Sequence, residues 1–342
     1  LRGRTFLAIL PPLAVCIAAG LGHWLPSRWQ ERFPRVLGGG LLVIALIVPF
    51  AYIAPVYAPP PRIPPEQVTD LPNPVYVHFG DQMELLGYEY GNRGRYAPGD
   101  VLEIRVYWRA LVKMARNYTL RWQVLDAEGH AHATAELYPG WGNYATSLWV
   151  PGQVFRDTYR IRIPDDMPSP GKGLVALTVL DAENDAPLGA TDPQGQFLGL
   201  QFRLRPFKMI AGMTVRTTDT GAEYVLGEKM ALVARQAQAD YAARTILLRL
   251  TWQALARMDK DYVAFIHLVD ASGHTVWQVD RQPRDGAYPT SLWDVGEIVD
   301  DPIAIPMPQD VGARVYWLHL GVYDPDTEER LLAFDPFGRR LR

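Results

Sequence analysis

The chain has 342 residues, of which 34 are basic and 37 acidic, so its net charge of -3 provides no global field that would favour nucleic acid or an anionic surface. That length accommodates two domains of roughly 100 to 150 residues each plus an accessory segment. A single cysteine, Cys16, in an apolar run excludes an intrachain disulfide framework, and Leu1 in place of an initiator Met suggests a processed chain or the C-terminal part of a longer polypeptide.

Two apolar stretches lie near the start, Thr5–Gly22 and Val36–Val56. The second would span about 32 Å as a helix, enough for the hydrocarbon core of a bilayer. Together they predict a transmembrane helical hairpin over residues 1–57, its first span kinked at Pro11 and Pro12. A cleaved signal peptide is the competing reading, but Trp24, Arg28, Trp29 and Arg32 stand where a small-residue cleavage site would be expected. The connector His23–Arg35 sets three arginines against Glu31 and carries Trp24, Trp29 and Phe33, an interfacial belt with a cytoplasmic charge bias. The expected location is therefore a cell membrane with the downstream domains on the extracytoplasmic side, Arg2 and Arg4 being the opposing signal.

Residues 58–74 form a proline-rich linker, with Pro at 59, 60, 61, 64, 65, 72 and 74. Proline fixes φ and removes backbone donors, which predicts polyproline II at about 3.1 Å per residue, a spacer unless it packs back on the domain that follows.

Beyond the linker the chain is a tandem duplication. Tyr144-Ala-Thr-Ser-Leu-Trp149 returns as Tyr288-Pro-Thr-Ser-Leu-Trp293, and the same offset of 144 pairs Trp108 with Trp252, Met114 with Met258, and Asp126 with Asp270. The repeats are expected over 75–206 and 207–342. In the first, Leu102, Ile104, Val106 and Trp108 alternate with Glu103, Arg105 and Tyr107; in the second, Ile246, Leu248, Leu250 and Trp252 keep the same phase. Further strands are expected at 118–125, 154–163, 174–180 and 197–204, with counterparts at 262–269, 298–305, 315–323 and 331–334. Turns such as Asp126-Ala-Glu-Gly129 and Asp270-Ala-Ser-Gly273 separate them. The predicted fold is mainly β: a transmembrane helical hairpin followed by two tandem antiparallel β-sandwich domains, immunoglobulin-like or jelly-roll-like.

The repeated Tyr-x-Thr-Ser-Leu-Trp stretch supplies the candidate site residues Trp141, Tyr144, Trp149, Tyr288 and Trp293. As packing, Tyr, Leu and Trp would close the end of a sandwich while Thr and Ser bond local backbone. As a glycan-binding loop, the rings would stack on sugar faces, with Asp157 or Asp301 binding hydroxyls. No catalytic set is present: there is no phosphate loop, nucleophile elbow or Cys/His pair. Asp165-Asp166, Asp300-Asp301 and Asp324-Pro-Asp326 lack the alternating loop of a calcium site, and His130-x-His132 is short of a zinc set, so no metal or cofactor is expected.

One resemblance is carried by Asp261-Tyr262, His267-Leu-Val-Asp270, Gly286-Ala-Tyr-Pro-Thr-Ser-Leu-Trp293, Gly296-Glu297 and Gly321-Val-Tyr-Asp324. These resemble the β-rich C-terminal extension of bacterial polytopic membrane proteins of the family 39, GT-C-type glycosyltransferases, and the likeness runs from about residue 75 to the C-terminus. The first repeat is a diverged copy, with Ala145 in place of Pro and Leu180 in place of Tyr. The resemblance implies no catalytic residue here, because that family's catalytic carboxylates lie in an early loop that nothing in this chain matches. The expected role is a membrane-anchored module that binds or positions a cell-surface glycan or a protein partner, with the bilayer and other membrane subunits as partners and no nucleic acid. The alternatives are the C-terminal part of a GT-C-type glycosyltransferase using a lipid-linked sugar donor, or a structural subunit of a membrane complex.

Overall fold

A computed structural model describes residues 32–56, 58–140, 142–210, 221–307 and 316–341, together with residues 20 and 26. They divide into two compact units, 1–59 and 60–342. The first unit contains helix α1, Phe33–Val48, continued by a π-turn at Pro49–Ile53 and a last turn at Ala54–Val56. Pro49 has no N–H to give to the α ladder, and the Ala54 N–H bonds the Pro49 carbonyl five residues back. The 19-residue stretch Arg35–Ile53 is long and apolar enough to cross a membrane, and its side chains are not buried within the protein. The expected first span, 5–22, lies outside the described residues apart from Gly20, as does most of the 23–35 connector.

The second unit is mainly β, with short 3₁₀ turns between strands. In the first repeat the strands are β1 (Pro74–Phe79), β2 (Met83–Tyr90), β3 (Arg95–Tyr96), β4 (Val101–Ala110), β5 (Tyr118–Leu125), β6 (Ala131–Leu137), β7 (Val154–Arg162), β8 (Gly171–Asp181), β9 (Ala190–Thr191), β10 (Phe197–Gly199), β11 (Phe202–Arg203) and β12 (Phe207–Met209). They form one sheet in the order β10-β9-β1-β2-β4-β7 and another in the order β3-β12-β8-β5-β6, with β11 beside β8. The second repeat has β13 (Tyr224–Leu226), β14 (Met230–Asp240), β15 (Thr245–Ala254), β16 (Val263–Val269), β17 (Thr275–Arg281), β18 (Ile298–Pro306), β19 (Trp317–Tyr323) and β20 (Ala333–Phe334). Its sheets run β18-β15-β14-β13-β20 and β17-β16-β19.

The two-residue alternation read from the sequence explains the cores. On β4, Leu102, Ile104, Val106 and Trp108 are buried, and they share one cluster with Leu120, Trp122 and Val124 of β5 and Val175, Leu177 and Val179 of β8. Leu248, Leu250 and Trp252 of β15 do the same with Ala264 and Ile266 of β16. Each cluster therefore draws on both sheets of its repeat.

The proline-rich segment departs from a free spacer. Ile63 N–H donates to the Val154 carbonyl at 2.9 Å, and Arg156 N–H donates to the Pro61 carbonyl at 3.0 Å. Proline loses its donor but keeps its acceptor, so the segment can flank β7, and a short 3₁₀ turn at Pro65–Asp70 follows. Ile63, Val68 and Leu71 then pack with Leu86, Tyr107 and Val154. At the other end of the repeat, the expected 197–204 strand is broken into β10 and β11, and Phe207–Met209 pairs with β8 and β3, so strand pairing carries the first repeat past residue 206.

Candidate functional site

The duplicated loop has the same construction twice. A 3₁₀ turn at Thr146–Leu148 or Thr290–Leu292 lies just before β7 or β18. The fully buried Thr290 accepts from Tyr262 N–H at 2.9 Å and donates to the Lys260 carbonyl at 2.8 Å. Thr146 repeats this with Tyr118 N–H at 3.0 Å and the Arg116 carbonyl at 3.3 Å. The Trp293 indole donates to the Tyr288 carbonyl at 2.9 Å, and that of Trp149 to the Tyr144 carbonyl at 3.2 Å. Tyr144, Trp149, Tyr288 and Trp293 are all buried, with exposures of 8%, 0%, 1% and 2%, which leaves their rings no free face for a sugar. Trp141 lies outside the described residues.

Asp157 and Asp301, the hydroxyl-binding candidates, are buried too. Asp157 accepts from Gly140 N–H at 2.7 Å, Thr158 N–H at 2.8 Å and the Tyr159 hydroxyl at 2.5 Å. Asp301 accepts from Arg284 N–H at 2.8 Å and the Trp252 indole at 3.3 Å, and pairs with Arg281 at 3.1 Å. Burial pushes both carboxyls above the usual range, with their donors pulling the other way. Both carboxylates are thus committed to holding loops.

The feature that sequence reasoning missed lies between the repeats. Arg95 of β3 grips Asp294 through two hydrogen bonds of 2.6 Å. Lys208 of β12, only 5% exposed, reaches Asp294 Oδ2 at 2.9 Å and Glu297 Oε2 at 2.6 Å. Tyr288 donates its hydroxyl to Glu297 Oε1 at 2.5 Å, and Asp294 N–H donates to Glu297 Oε2 at 2.7 Å. The Arg95 guanidinium, aided by Lys208, holds the Asp294 carboxyl well below the usual carboxylate range, while burial raises the Tyr288 phenol. Lys172 N–H adds a backbone bond to the Ala287 carbonyl at 2.8 Å. A signal did exist in the sequence: at the offset of 144, Asp294 and Glu297 stand where the first copy has Val150 and Gln153, so the acidic pair distinguishes the second copy from the first.

Above this joint a cleft of about 740 Å³ opens between the repeats, with Tyr88, Phe207 and Trp293 among its lining residues. Cations from both copies face it, Arg93, Arg205 and Arg257 in addition to the joint residues. Among the described residues no cluster of metal-ligating side chains occurs.

No family model matches the chain, and no curated protein matches it. Among solved structures, one similar chain is the crystal structure of a DUF4785 family protein from Legionella pneumophila subsp. pneumophila, at 9% identity and a TM-score of 0.21. The match covers 76% of this chain and 57% of that one, a little over half its length. At that score the likeness carries no inference about fold or function.

Proposed function

We propose that this chain is a membrane-anchored module of two tandem β-sandwiches, immunoglobulin-like or jelly-roll-like, that binds or positions a glycan or protein partner on the extracytoplasmic side and catalyses no reaction itself. Core clusters drawing on two sheets in each repeat support the sandwich reading. The apolar Arg35–Ile53 helix supports the anchor.

The observation that carries the reading is the ionic joint. Tandem domains on a plain linker move independently by default. Here a buried lysine needs both Asp294 and Glu297 to be in place, and it is satisfied in one mutual orientation of the repeats. A fixed pair of domains, on a chain that also carries a helix apolar enough to cross a membrane, suits a positioning device.

Protease added to sealed, right-side-out cells tests the arrangement. The expected result is loss of the β unit with a membrane-embedded remnant left behind; full protection, lifted only by permeabilising the cells, reverses it.

A further inference from the structure

We infer that the cleft between the repeats is a binding site for a short acidic oligosaccharide, whose carboxylate groups are held by Arg93, Arg205 and Arg257. The inference deepens the binding role proposed above and rests on the joint that keeps the cleft open.

Charge segregation is the first support. Five cationic side chains line the cleft against two acidic ones, in a chain whose net charge is -3. The acids that are present already have partners: Asp294 is taken by Arg95 and Lys208 in the joint, and Glu89 by Arg105 within the first repeat at 3.3 Å. Arg93, Arg205 and Arg257 are solvent-exposed and have no acidic partner among the described residues. Uncompensated guanidinium groups converging on one concavity raise the local concentration of anions and suit planar, two-oxygen groups.

The backbones that carry these arginines are restrained, which is the second support. Arg205 is pinned from both sides: its N–H donates to the Tyr88 hydroxyl at 2.6 Å, and its carbonyl accepts from the Tyr90 hydroxyl at 2.8 Å. Arg93 is held in the left-handed region at φ 53° between Asn92 at φ 45° and Gly94 at φ 69°. A non-glycine pair in that region is strained and persists where its surroundings enforce it. Arg257 follows a stretch in which Leu255 N–H and Ala256 N–H both bond the Lys229 carbonyl.

Size and remaining polarity select the ligand class. A volume of about 740 Å³ lies within the range of small-molecule sites. On the same walls Ser291 brings a hydroxyl and Asn73 an amide oxygen suited to hydroxyls, the Asn73 amide N–H already donating to the Tyr88 carbonyl at 3.0 Å. A neutral sugar would leave the arginines unanswered, and an extended acidic peptide would leave the hydroxyl-binding groups idle.

Calorimetry on the full chain in uncharged detergent tests this, with a galacturonate trimer as the probe. Maltotriose, inorganic phosphate and a hexaglutamate peptide serve as comparisons. The trimer is expected to bind more tightly than all three, to weaken as salt rises, and to lose about tenfold in affinity for each of Arg205→Gln and Arg257→Gln, whose guanidinium groups lie outside the joint. Equal binding of maltotriose, tighter binding of hexaglutamate, phosphate binding alone, indifference to both substitutions, or no binding by any probe would each overturn the inference. Melting is followed in parallel. A parent protein that melts as one unit but binds nothing sinks the ligand and leaves the joint standing, whereas a parent whose repeats melt independently removes the joint and this site with it.

Discussion

Asp157 and Asp301 hold equivalent places, yet the two copies satisfy them differently. The first uses the Tyr159 hydroxyl; the second has Ile303 at that position and recruits the Trp252 indole and Arg281 instead. Asp157→Asn is expected to destabilise the first repeat by about 1–3 kcal/mol, because an amide has one accepting oxygen for three donors and turns its own N–H groups toward them. Urea unfolding at neutral pH measures this, and an unchanged midpoint would contradict the geometry. Burial raises both carboxyls, so the folded state holds these protons more tightly than the unfolded one. Their contribution is fully present below the unfolded value of about 4 and is lost as pH rises through the folded value. Trp252→Ala removes a fully buried indole and should cost about 3–5 kcal/mol through the cavity it leaves.

At the scale of elements, the repeated loop behaves as a plug, and Trp293→Ala should lower the melting temperature by several degrees, since each kcal/mol is worth about 3–6 °C in a domain of this size. A variant melting with the parent would contradict the burial of that ring. The strands with strong alternation, such as Val101–Ala110 and Tyr118–Leu125, were legible in the sequence because one face must be buried. The long β14 was not, since Arg235, Gln236, Gln238 and Asp240 break any apolar period on a strand that is largely solvent-exposed beyond Leu232. A further difference between copies is visible only in three dimensions. β8 is covered along its outer edge by β11 and β12, whereas β19, its counterpart, pairs only with β16 over Trp317–Gly321 among the described residues. Val175 and Leu177 are buried, while their counterparts Leu318 and Leu320 are partly exposed. Amide hydrogens on the outer edge of β19 should therefore exchange faster than their β8 equivalents, and equal protection would show that the edge is covered.

For the molecule as a whole, the decisive residues came from different copies, and pairing them required the fold. Nothing in one sequence brings Arg95 and Lys208 to Asp294 and Glu297; comparing the copies flags the acids but not what they meet. Lys208→Glu tests the joint directly. It places a third carboxylate beside Asp294 and Glu297 in a nearly closed site, where breaking a buried pair costs about 3–5 kcal/mol and like charges add to that. The expected outcome in calorimetry is that one melting transition of the β unit splits into two, the repeats keeping their own cores while losing their mutual orientation. Acid should act the same way on the parent. Because Asp294 is held below its ordinary value, its contribution is present above about pH 4, the unfolded value, and is lost progressively as pH falls toward the folded one. The gap between parent and Lys208→Glu should accordingly narrow as the solution is acidified. A variant that melts in one step at the parent's temperature, or a gap that widens in acid, would mean that the buried ion cluster does not hold the two repeats together.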